Sequence, residues 1–481
     1  MKKKLIAIFC AILMTCSLTA LTACGGGGSG GSGGGGNDGA DWWTTTGELT
    51  MNGDEVVFND VQIKFTTVVT GEDKETLQSL IYDFNELYRG KINIIPEYRY
   101  QDGFEASVAQ NISQNHNAPD LIMSHQKGHK SFAQQKLIQP FDEAMEKSGI
   151  VIDINNYADI LSQYSSLGYD GKVFGVPIDA QSEVVFYNKK LLAKYNAQLP
   201  QNRSELLALC EIAKNDGKTA IAIDGDGSFY QDYWFTTAVM QNGGRLYNKD
   251  TYKADWYSNA ENRAAFTAGI DAIREMNTKN YSKYGASVSE ALNAFLSDDA
   301  LFYVAQPWEM SDILNSYASR HKSTVDEIIE NDIGGTSIAN WFACDSSAAY
   351  ANKIFADSHF FAMSNTVTDI NKKVAMLVFI KWFTETGSVG ARWAEAGHMS
   401  VSQKIVNSTE YKNNKYVTNF INKFYPDINQ IECFGATPYY QDTNEQLSSI
   451  CANTIGVNSV TSYDTVLQST ENTLNGIVDF F

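Results

Sequence analysis

"VQIKFTTVVTGEDKETLQSLIYDFNELYRGKINIIPEY", residues 61–98, is the stretch on which the fold turns. Val61, Ile63 and Phe65 alternate with polar residues, and a period of two predicts a strand. Leu77, Leu80, Ile81, Phe84 and Leu87 then recur at helical steps on one face, and Gly90 stops the run. Residues 92–95 form the next strand, closed by Pro96. Strand, helix and strand in this order predict a parallel pair with a right-handed crossover.

The alternation continues outward. A helix carries Phe104, Val108 and Ile112, and residues 118–123 read as a strand entered through Pro119. A turn and a short strand occupy residues 169–177. Residues 184–187 form a strand ending at Asn188, a good N-cap for the helix that follows. Asn202 and Glu205 open a further helix in the manner of a capping box. Strands are expected at 219–223 and 300–305. The stretch 370–386 is helical and apolar nearly all round, which predicts burial. A last amphipathic helix after Gly456 presents Val466, Leu467, Leu474 and Val478. No internal repeat is present. The pattern predicts a doubly wound α/β architecture, with ligand at the carboxyl ends of the strands.

The first residues address the chain. Lys2, Lys3 and Lys4 precede an apolar run over 5–21. That run could just span a bilayer at about 18 residues. Leu21-Thr22-Ala23-Cys24, however, resembles a bacterial lipobox. We therefore expect a lipoprotein signal peptide over 1–23, cleaved before Cys24, whose thiol takes lipid. Residues 25–39 contain only Gly, Ser, Asn and Asp, so residues 24–45 are expected to form a flexible tether. Its reach from residue 25 to residue 41 is about 20–25 Å.

Composition removes several classes of function. The formal net charge is −19, and without the three leader lysines it is −22. Phosphate backbones need a basic face, so no nucleic-acid partner is expected. Of seven cysteines, Cys10 and Cys16 leave with the leader. Cys210, Cys344, Cys433 and Cys451 remain, without CxxC or metal-like spacing. Cys210 falls on an apolar helix face, and whether Cys433 and Cys451 pair is left open. "DGDGSF" from Asp224 is not a calcium loop, because its sixth position is Phe229 and its twelfth is Phe235. No GxSxG, no HExxH and no recognisable pair of facing carboxylates argues for an enzyme. Cys344 is the one thiol not assigned to a core.

Five phrases then converge: "APDLIMSH" (118–125), "YDGKVFGVPIDAQSEVVFYNKKLL" (169–192), "VMQNGGRLYN" (239–248), "ALNAFLSDDALFYVAQPWEM" (291–310) and "KKVAMLVFIKWFTETGSVG" (372–390). In this order, behind a lipobox, they resemble the family 1 extracellular solute-binding proteins of ABC importers, over roughly residues 60–480. The resemblance implies a two-lobed, type II periplasmic-binding-protein-like fold with a hinge of crossover segments. The N-terminal lobe would hold 58–180 and 357–400, and the C-terminal lobe 181–356 and 401–481. A carbohydrate would be captured in the cleft and passed to the importer's permease subunits. The carrier would be a monomer on the outer face of the cytoplasmic membrane, held by its lipid alone, with no cofactor, metal or turnover. The same fold with a polyamine, peptide or anion as cargo is the alternative, and a surface hydrolase or transferase is a more distant one. The segment 323–356, with Gly334-Gly335, is longer than the family pattern, and "AGHMSVSQ" (396–403) lacks a proline often found there.

A sugar needs an aromatic plate and planar polar side chains. Trp308 matches the family's stacking platform, against the alternative of a core tryptophan at a strand end. His125 and Gln126 follow the strand 121–123, where the family reaches ligand hydroxyls. His125 and His129 stand four apart, but no third residue completes a metal site. Asp179 and Gln181 sit at the first crossover as ligand contacts or hinge caps. Tyr230 and Trp234 are second-lobe aromatics or core. Asp357 and His359 lie at the second crossover, and Glu72 after the first strand. Trp341, Trp393, Tyr439 and Tyr440 are further cleft candidates without an alignment.

Overall fold

The computed structural model describes residues 42–480 apart from 102, 167–170, 226–229, 434, 436 and 457–460. The leader, Cys24, most of the tether and most of "DGDGSF" lie outside the described residues. Contacts divide the chain after Asp41, and Trp42–Phe481 form one unit. That unit opens packed: Trp42 donates its indole N–H to the Ile138 carbonyl at 2.8 Å and stacks near Phe174.

The opening stretch folds as strand Val61–Thr67, helix Asp73–Leu87 and strand Ile92–Tyr98, the two strands parallel from Val61↔Ile92 to Thr67↔Tyr98. The second strand runs through Pro96 rather than ending there. It is the edge of its sheet, where a missing N–H breaks no ladder bond. The expected strand at 118–123 begins instead at Leu121 and continues to His125. Asp120 first accepts the Lys64 amide at 2.8 Å, which sets the entry.

Two lobes are built on two sheets. The first runs Ile92–Tyr98, Val61–Thr67, Leu121–His125, His359–Ser364 and Ile138–Gln139, with Val176–Pro177 also pairing to His359–Ser364. His359–Ser364 returns antiparallel, so His359 stands opposite His125. The second runs Thr219–Ile223, Ala300–Ala305, Val184–Asn188 and Ile333–Thr336. Only its first pair is parallel. Gly334 lies in the expected long segment and pairs with Tyr187, whose ring occupies the space a Cβ would need.

Between the sheets the chain makes small crossing pairs. Met399–Ser400 pairs antiparallel with Asp179–Ala180, and Gln181 bridges Asp357. Asn188 and Asn202 cap their helices through the amides of Leu191 and Glu205. Cys210, Cys433 and Cys451 are buried and Cys344 exposed, with no disulfide among the described residues. Cys433 belongs to one core and Cys451 to the other. Among the described residues no helix is long and apolar enough to cross a membrane.

Helix Ile370–Glu385 is buried along most of its length, as its composition predicts. Phe379, fully buried, meets the rings of Phe65, Phe84, Phe361 and Phe383. Truncating such a ring removes its transfer energy and leaves a cavity. Phe379→Ala is expected to destabilise the protein by about 3–5 kcal/mol. Denaturant unfolding measures this, and a loss below about 1 kcal/mol would mean the first lobe does not depend on this ring.

Candidate functional site

A cleft of about 710 Å³ opens at the carboxyl ends of Val61–Thr67 and Leu121–His125. Its first-lobe wall holds Thr70, Gly71, Asp73, Glu105, His125 and Lys127. Tyr233, Trp308, Tyr440, Asn444 and Glu445 line it from the other side, with Gln181 and His359 between. Strand Ala300–Ala305 leads directly into the short helix Pro307–Glu309, which carries Trp308. The Glu309 carboxylate accepts the Gln306 backbone N–H at 3.1 Å and the Glu309 N–H donates to the Gln306 carbonyl at 3.1 Å, so the turn that carries the indole is set by local hydrogen bonds.

Two glycines let the walls approach. A Cβ on Gly71 would lie 3.0 Å from the Trp308 ring. Gly397 holds φ at +95°, and any side chain there would overlap the Pro307 carbonyl. The Trp308 turn therefore rests on bare backbone.

Beneath the cleft lies a buried ionic cluster. Asp179 Oδ2 is 3.0 Å from His359 Nδ1, 3.2 Å from His398 Nδ1 and accepts the Trp393 indole N–H at 2.8 Å. Asp179 Oδ1 accepts the His359 backbone N–H at 2.9 Å. His398 reaches Asp73 with Nε2 at 3.0 Å and stacks on Trp393 with centroids 4.1 Å apart. Burial alone would push the Asp179 carboxyl upward, but the charges and hydrogen bonds of His359 and His398 hold it well below the carboxylate range. Burial likewise opposes charge on His398, yet Asp179 and Asp73 raise it to about 9. Asp179, His359 and His398 are spaced closely enough to share a cation, their ligand atoms lying within 4.8 Å of one another. Each already faces an opposite charge or an N–H.

A second buried carboxylate, Asp357, lies 3.0 Å from His125 Nδ1 and 3.3 Å from Lys127 Nζ, and accepts the Ser358 amide at 2.8 Å. Its carboxyl is held low by Lys127 and His125 against burial. Burial lowers His125 despite Asp357, and lowers His129, which sits among Phe132 and Phe360, to about 3.

The structure sorts the sequence candidates. Trp308, His125, Gln181 and His359 line the cleft together. Asp179 and Asp357 lie beneath it, engaged by the groups above. Gln126 is fully buried, because Leu121–His125 passes straight into helix Gln126–Gln134 with no loop between. Its backbone N–H donates to the Ser358 carbonyl at 2.7 Å. Tyr230 and Trp234 belong to the second core, Tyr230 meeting Asn277 and Trp234 packing on Trp341 and Phe342. Residues Tyr230–Phe235 form a π-helix, whose wider turn brings Tyr233 to the cleft instead. Glu72 is exposed beside Asp312, whose carboxylate raises its pKa. Of the unaligned aromatics, Tyr440 reaches the cleft, while Trp341 and Trp393 are buried. Glu105 and Asn444 carried no signal in the sequence beyond polarity at helical positions.

Two lobes around a polar, aromatic-walled cleft define the architecture of a two-lobed binding protein. The chain belongs to the bacterial extracellular solute-binding protein family, which its residues 68–339 match. The GacH receptor of Streptomyces glaucescens, solved unliganded and with acarbose, superposes with a TM-score of 0.68 at 17% identity, covering 88% of this chain and 99% of that one. The cyclic alpha-maltosyl-1,6-maltose binding protein of Arthrobacter globiformis gives 0.65 at 16% identity, over 88% and 100%. The sn-glycerol-3-phosphate-binding periplasmic protein UgpB of Shigella flexneri is 25% identical over 134 residues, 27% of this chain and 30% of that protein. The chain thus matches less than a third of the length of this curated relative.

The buried histidines set a pH profile. His398 binds its proton more tightly folded than unfolded, so its contribution is complete below ~6.5 and is lost as pH rises through about 9. His129 is neutral when folded down to about 3, so the unfolded chain gains protons as pH falls below ~6.5 and stability drops. Melting temperature is expected to peak near pH ~6.5 and fall on both sides. His398→Gln should flatten the alkaline side. An unchanged alkaline slope in that variant would remove His398 as its cause.

Proposed function

We propose that this chain is a lipid-anchored receptor that captures a carbohydrate, an oligosaccharide by the size of the cleft, and delivers it to an ABC importer. One observation carries the reading: Trp308 stands on a capped turn at a 710 Å³ cleft, facing planar and charged polar side chains. A flat indole beneath and hydrogen-bonding groups around suit a guest with an apolar ring face and a polar edge. Family membership and the sugars named for GacH and the Arthrobacter protein support the same cargo. Attachment through Cys24 and hand-over to permease subunits rest on the leader sequence and the family. We read the lobes as 58–180 with 357–400 and 181–356 with 401–481. The likeness to UgpB favours a second reading, a phosphorylated polyol, with Lys127 as its cationic contact.

A panel of mono- and oligosaccharides and glycerol 3-phosphate, screened by melting temperature, tests the cargo. A ligand at 100 times its Kd stabilises by about 2.7 kcal/mol. Trp308→Ala is expected to weaken the sugar found by tenfold or more, about 1.4 kcal/mol. No shift with any sugar would sink the carbohydrate reading. For the anchor, labelled palmitate should enter the expressed protein and fail to enter Cys24→Ser.

A further inference from the structure

Donor and acceptor bookkeeping at the cleft narrows the cargo. Four residues lining it hold a buried polar atom without a hydrogen-bond partner: Asp73 Oδ1, Glu105 Oε1, Gln181 Oε1 and Asn444 Oδ1. All four are oxygens that accept. Among the described residues no lining side chain leaves a buried donor in that condition. Asp73 is 4% exposed and Gln181 1%, so bulk water does not serve them.

The cations at the cleft are committed elsewhere. Lys127 and His125 meet Asp357, and His359 meets Asp179. The lining carboxylates Glu105 and Glu445, by contrast, form no ion pair among the described residues. Near the rim, Glu72 and Asp312 crowd each other, and Glu309 is shifted upward by burial and by Asp224, Asp312 and Glu72. The unspent field at the cleft is negative.

We propose that the cleft selects a sugar bearing a free amine over its neutral counterpart. This rests on the carbohydrate reading and names the class of sugar. An ammonium offers three donors and no acceptor, which complements the four unpartnered oxygens and the unpaired Glu105 and Glu445. A hydroxyl brings one uncharged donor to those oxygens, and an ionised phosphate brings none. A buried acceptor left unpaired costs about 1–3 kcal/mol, and a charged donor repays more than a neutral one. The aromatic wall of Trp308, Tyr233 and Tyr440 takes the ring face of either sugar, so the choice falls to the acceptors.

Calorimetric titration of the purified protein at pH 7 tests this with a matched set: the β-1,4 disaccharide of glucosamine, its di-N-acetyl form, cellobiose, glycerol 3-phosphate and spermidine. The proposal expects the amine disaccharide to bind at least tenfold tighter than both neutral sugars. It also expects Glu105→Gln to cut that preference by tenfold. Equal or tighter binding of a neutral sugar overturns the proposal and leaves the carbohydrate reading standing. A preference that Glu105→Gln does not change removes the acceptor wall as its cause and overturns it too. Tightest binding of spermidine or of glycerol 3-phosphate, or no binding at all by any sugar in the set, overturns the proposal together with a sugar cargo of this kind.

Discussion

The Asp179 carboxylate is the point at which the crossings are tied. It stands on the first crossing segment and holds His359 from the second and His398 from the third. His398 passes the connection on to Asp73, at the first turn of helix Asp73–Leu87 and on the cleft wall. A charge buried this deeply is costly unless every lone pair is met. Here two imidazoles, an indole N–H and a backbone N–H meet it, so the three segments keep one mutual geometry.

That constraint explains why charged side chains at the crossings are not all available to a ligand. Asp179 and Asp357 hold the histidines and Lys127 from below, and it is the residues above that reach the cleft. Buried carboxylates act here as positioning groups. The aromatic contact depends on a different device: Gly71 and Gly397 bring backbone against the Pro307–Trp308 turn, so the indole has one place to rest.

Much of the architecture was legible in local pattern. The strand and helix over 61–98, the caps at Asn188 and Asn202, and the buried helix 370–385 follow from period and capping chemistry. Local pattern misplaced the ends of the strands beside Pro96 and Pro119. An edge position tolerates a proline, and only the sheet order shows which strand is the edge. The family resemblance singled out Trp308, His125, Gln181 and His359, and the fold places all four around one cleft. Tyr233 was hidden behind Tyr230 and Trp234, since a π-turn shifts which buried aromatic borders the cleft.

The sequence by itself determined the α/β class, the family and most elements, because hydrophobic period, caps and motif order are local properties of the chain. Tertiary structure alone decided which polar residues are buried supports and which face the cleft. Asp179, His359 and His398 are far apart in sequence, and their partnership comes from the pairing of crossing segments. The same holds for the four unpartnered acceptors, which stand on separate segments that line one cleft only after the two sheets have formed.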